Sequence, residues 1–150
     1  MSDPVEAIRA TLAKFPRMHG YYLLKLVDIE WTGDEEASLD VIMQQLDDHP
    51  WPPREQRPTF PCWIDYVITE EDAREMVIAG LVGGANVGHT QDTISRPTAT
   101  AVWDQFCSLF SERVRFFRND GFGDQRYVFS TGVVAVDATR AGILVVVESD

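Results

Sequence analysis

Two cysteines, three histidines and 24 acidic side chains are the groups from which this 150-residue chain could build chemistry. A metal site needs His, Cys or carboxylate ligands at short, regular spacings. His19, His49 and His89 lie far from one another, and none is suitably spaced from Cys62 or Cys107, so no metal is assigned. His49 follows Asp47 and Asp48 at the end of a predicted helix, where the partial negative charge of the terminus favours imidazolium; that placement explains it without a catalytic role. A nucleophilic cysteine needs a base or a cation beside it. Cys107 instead falls mid-helix beside Phe106, which reads as a core position. No serine stands in a G-x-S-x-G turn. Carboxylates are so numerous that an acid/base pair could be drawn almost anywhere, and without geometry that signal selects nothing. No cofactor is called for.

The sharpest local pattern is Gly83-Gly84-Ala85-Asn86-Val87-Gly88-His89-Thr90. It follows the frame of a phosphate-binding loop, G-x-x-x-x-G-K-[ST], with His89 where the lysine belongs. Val133-Val134-Ala135-Val136-Asp137 even imitates the apolar run and Asp that holds Mg²⁺ beside such loops. The physics of that motif needs a strand before the glycines and a helix N-terminus after them, aimed at the phosphates. Here Thr69-Glu70-Glu71-Asp72 caps a helix that runs into the glycines, and no helix clearly opens at Thr90. The expectation is a helix stop followed by a connector, and no nucleoside-triphosphate site. Gly83, Gly84, Asn86, Gly88, His89 and Thr90 remain the candidate contacts for a small ligand under a second reading.

The formal net charge is −11, and it is concentrated. Residues 28–48 hold Asp28, Glu30, Asp34, Glu35, Glu36, Asp40, Asp47 and Asp48 with no Lys or Arg; residues 65–75 add Asp65, Glu70, Glu71, Asp72 and Glu75 against Arg74 alone. Such a surface repels phosphates, so nucleic acid is an unlikely partner, whereas a basic protein would be steered towards it. The ordinary alternative is that the acids only keep the chain in solution. One basic patch runs the other way: Arg113, Arg115, Arg118 and Arg126 interleave with Phe116, Phe117, Phe122 and Tyr127. Arginine with aromatics stacks single-stranded bases or anchors interfaces. Against −11 overall, the preferred reading is an exterior strand whose arginines pair with acids of the helices.

These residues are positioned by a recognisable alternation of elements. Residues 3–15 predict a helix, capped by Ser2 or Asp3 with Pro4 in its first turn and Pro16 ending it. Residues 21–31 predict a strand with Val27, Ile29 and Trp31 on one face. Residues 35–47 predict a helix burying Leu39, Ile42, Met43 and Leu46. Residues 49–61 carry five prolines and predict a long surface loop that includes Trp51; Pro50-Trp51-Pro52-Pro53 has the spacing of a proline-rich ligand but no flanking arginine. Cys62–Ile68 predicts a strand, Glu70–Val82 a helix stopped by Gly83-Gly84, and Pro97–Glu112 a helix with Val102, Trp103, Phe106, Leu109 and Phe110 inward. Strands follow at Arg113–Arg118, Arg126–Thr131, Val133–Val136 and Gly142–Glu148, joined by tight turns. The last is apolar on both faces and so should be covered on both sides.

Together these readings predict an α+β fold: an antiparallel or mixed β-sheet with about four helices packed against it and a C-terminal β-meander, in a single domain over 1–150. The predicted core comprises Ile8, Leu12, Leu24, Leu26, Ile42, Leu46, Ile64, Tyr66, Val102, Phe106, Phe110, Val134, Leu144 and Val146. No stretch is apolar for long enough to span a membrane. The start Met-Ser-Asp-Pro-Val-Glu lacks the pattern of a secretory signal, so a cytoplasmic location is expected. The functional expectation is a non-enzymatic module that engages a basic protein partner through Asp34, Glu35, Glu36, Asp40, Asp47 and Asp48. The alternatives are a small ligand-binding domain or enzyme with a site near Gly83–Thr90, or a homo-oligomeric structural subunit. Nothing in the sequence sets the oligomeric state.

Overall fold

The computed structural model describes residues 3–17, 19–46, 67–84, 94–118 and 129–148, with only the backbone of residues 36, 39 and 40. Among these residues lie four helices, α1 (Glu6–Leu12), α2 (Glu35–Leu46), α3 (Glu70–Gly83) and α4 (Arg96–Cys107), and five strands, β1 (Gly20–Asp28), β2 (Val67–Ile68), β3 (Arg115–Arg118), β4 (Phe129–Val136) and β5 (Arg140–Glu148). The strands form one sheet in the order β1-β5-β4-β3-β2, and every neighbouring pair is antiparallel. β3, β4 and β5 are the predicted meander; β1 joins the free edge of β5, and β2 the free edge of β3.

Side chains alternate across a strand, so β5 feeds two cores. Leu144 and Val146 pack with Ile8, Val77, Ile78, Val102 and Phe106 on the side of α1, α3 and α4. Ile143, Val145 and Val147 pack with Ile42, Met43 and Leu46 of α2 on the other. This double cover explains why Ile143–Val147 is apolar without alternation, as expected. Each such aliphatic side chain contributes about 1.5–3 kcal/mol on burial. Of the predicted core, Leu26 and Phe110 are only partly buried, and Ile64 and Tyr66 lie outside the described residues.

Several boundaries differ from the sequence reading. α1 is limited to Glu6–Leu12, with Asp3 Oδ1 accepting from the Val5 amide (3.0 Å) ahead of it. β1 ends at Asp28, opposite Arg140 at the start of β5; beyond it the Ile29 amide donates to Thr139 O (3.0 Å) and Trp31 Nε1 to Ala138 O (2.9 Å) of the β4–β5 turn. α4 opens at Arg96, where the Ser95 side chain accepts from the Thr98 amide (3.4 Å), but it stops at Cys107 and not at Glu112. Leu109 and Phe110 donate back to Phe106 and Cys107 in tight turns, and the Ser111 amide is captured by Asp137 Oδ2 at 2.8 Å. Finally, Thr131-Gly132-Val133 is no turn: β4 runs through it. A Cβ on Gly132 would lie 2.1 Å from Leu144 O, so the glycine permits close approach of two strands.

Candidate functional site

α2 is the one described helix on its side of the sheet, and the chain before it fixes its first turn. Asp34 Oδ1 accepts from the Ala37 amide (3.2 Å) and Asp34 O from the Ser38 amide (3.0 Å). The buried Ser38 hydroxyl accepts from the Thr32 amide (3.1 Å) and shares a hydrogen bond with Thr32 Oγ1 (3.0 Å). Ser38, Ile42, Met43 and Leu46 face the sheet, which leaves Asp34, Glu35, Ala37, Val41, Gln44 and Gln45 exposed. Val41 is 54% exposed, an apolar side chain on an acidic helix that carries no basic residue in its last turn.

Of the six acids predicted for a partner, Asp34 and Glu35 thus open α2 on the surface. Glu36 and Asp40 belong to its backbone, and Asp47 and Asp48 lie outside the described residues. Glu35 forms an ion pair with Arg115 of β3, whose guanidinium lies 5.7 Å from the centre of the Phe117 ring. One arginine of the basic patch therefore pairs with a helix acid, as the exterior-strand reading expects. Arg113 precedes β3, which opens at Arg115 and not at Arg113 as predicted. Phe116 and Phe117 are 3% and 1% exposed on opposite faces of the sheet, so neither offers a ring for a base to stack on.

Gly83 and Gly84 end α3, so a helix and not a strand leads into the glycine segment. Gly84 has φ +78°, donates to Gly80 O (2.8 Å), and lies so close to Glu148 that a Cβ would meet its Oε1 at 2.6 Å. Asn86, Gly88, His89 and Thr90 lie outside the described residues. Beneath Gly84 is a pair that the sequence did not point to. Arg17 donates to Gly80 O (3.4 Å) and Leu81 O (3.0 Å), and its Nη1 stands 3.6 Å from Glu148 Oε1, with both side chains fully buried. The guanidinium also lies 5.1 Å from the centre of the Tyr22 ring, and the Tyr22 hydroxyl donates to Phe15 O (2.6 Å). The pair clamps the carbonyl end of α3, which carries partial negative charge, to the end of β5. The available signals were a lone Glu closing an apolar strand and an Arg following Pro16, and neither indicates the other.

Asp137, the apparent Mg²⁺ ligand of the sequence pattern, is occupied in the β4–β5 turn. Its Oδ1 accepts from the amides of Thr139 (2.8 Å) and Arg140 (2.7 Å), and its Oδ2 from Ser111. Burial pushes this carboxyl up, but the hydrogen bonds from Ser111, Thr139 and Arg140 outweigh it and hold it below the usual carboxylate range.

Cys107 is half-buried rather than fully enclosed. It lines an open groove of about 490 Å³ between the start of α3, the end of α4 and β3. Burial pushes its thiol up to about 12, and the carboxylates of Glu70 and Asp104 add to the shift. At neutral pH it remains a thiol, which is a poor nucleophile.

Comparison of the chain with protein-family models, with curated proteins and with solved structures finds no match. The fold defines an antiparallel α+β protein, and its surface chemistry is the guide to function.

Proposed function

We propose that the chain is a cytosolic, non-enzymatic module that binds a basic protein partner through the acidic surface around α2. The carrying observation is the make-up of that surface. Segment 28–48 holds eight acids and no Lys or Arg, and Val41 is exposed on α2 beside Gln44 and Gln45, with Asp34 and Glu35 exposed at the helix start. An apolar centre with a charged rim is the usual anatomy of a protein interface. Like charges along one helix destabilise it by a few tenths of a kcal/mol per pair, a cost that a partner would offset. The Asp34 cap and the Glu35–Arg115 pair hold the helix start, while no Lys or Arg stands among residues 28–48 to pair with the acids nearer its C-terminus.

The test is affinity capture from host lysate with the unaltered chain and with a Glu36→Gln/Asp40→Asn/Asp47→Asn variant. The expected result is a basic protein retained at low salt, released at high salt and missing from the variant, whose thermal stability holds or rises. Retention that ignores both salt and the substitutions would contradict the proposal.

A further inference from the structure

The groove beside Cys107 joins two features that the α2 surface alone leaves unused. Its floor is apolar, built from Ile68, Phe110, Val114 and Phe116, and Val67, 60% exposed, stands at its edge. Its rim carries two exposed carboxylates from separate elements: Glu70, the first residue of α3, and Glu112, in the turn after α4. The cation at its lip, Arg115, is engaged by Glu35 of α2, so the lining carries more carboxylate than free cationic charge.

We propose that this groove receives an arginine side chain of the basic protein partner, its methylene stem on the apolar floor and its guanidinium against Glu70 and Glu112. This rests on the partner reading above and extends it to a specific pocket. Arginine fits where a metal ion does not: a hard cation requires about six oxygens, whereas a guanidinium combines an apolar-compatible stem with a planar fork for carboxylates.

The test is an amide chemical-shift titration with acetyl-Leu-Arg-Leu-amide and with the same peptide carrying citrulline, which keeps the shape and removes the charge. The arginine peptide should give saturable shifts at Ile68, Cys107, Phe110 and Val114. Citrulline, or a Glu70→Gln/Glu112→Gln protein whose other resonances are unmoved, should weaken binding about ten-fold or more, the scale of a lost charge-assisted contact. Equal binding of the two peptides, shifts elsewhere, or none would overturn the inference. If the peptide fails while salt-sensitive capture on α2 persists, only the groove is wrong. If the peptide binds with charge dependence but no basic protein is captured, the groove stands and the protein-partner reading falls.

Discussion

Removing one member of the Arg17–Glu148 pair takes a counter-charge away from a buried ion. Glu148→Leu should therefore destabilise the fold by about 3–5 kcal/mol in urea denaturation, and adding Arg17→Met should recover much of that loss. A single-variant loss under about 1 kcal/mol would show that the pair does not clamp α3 to β5. This pair shows why residue-scale features divide so sharply in legibility. The Thr69 cap and the Gly83-Gly84 stop involve neighbours in sequence, so local chemistry reveals them: Thr69 Oγ1 accepts from the Asp72 amide at 3.1 Å, as expected. Arg17 and Glu148 meet only because β1 and β5 pair, with Gly20 opposite Glu148, and no spacing rule connects them. Cys107 was legible as a packed thiol, but the groove it borders depends on β2 and β3 arriving from elsewhere.

Elements were readable in their centres and misread at ends set by distant groups. α4 is the clearest case: its apolar periodicity continues through Leu109 and Phe110, yet Asp137 captures Ser111 and turns the chain out. The same carboxylate closes the β4–β5 turn, so one side chain holds two elements together. Its folded-state pKa lies below its ordinary value of 3.8. A depressed carboxyl contributes stability that is present above the unfolded pKa and lost as pH falls through the folded one. Urea midpoints measured from about pH 6 down to about pH 2 should drop more in the unaltered protein than in Asp137→Asn, which has no charge to lose there. Parallel curves would show that the hydrogen bonds to Asp137 are not stabilising. Gly132 misled in the opposite direction: Ser130-Thr131-Gly132 resembles a turn, but here the glycine admits the backbone of β5.

At the scale of the whole molecule, the fold class was legible because strands joined by short turns must pair antiparallel, and because an unbroken apolar strand requires cover on both faces. The division of that cover, with α1, α3 and α4 on one face and α2 on the other, depends on packing that periodicity does not encode. It also sets the electrostatics, since the start of α2 brings Asp34 and Glu35 to a face with no other described helix, and Arg115, which pairs with Glu35, also lines the groove at Glu70. Long-range attraction between such a face and a basic partner acts mainly on association, and salt screens it beyond about 8–10 Å. The most direct measurement is therefore the association rate of the captured partner as a function of ionic strength. The account predicts a fall of about ten-fold or more between low and high salt, a smaller fall for Glu36→Gln/Asp40→Asn/Asp47→Asn, and little change in dissociation. An association rate that is the same at both salt concentrations and in both proteins would contradict it.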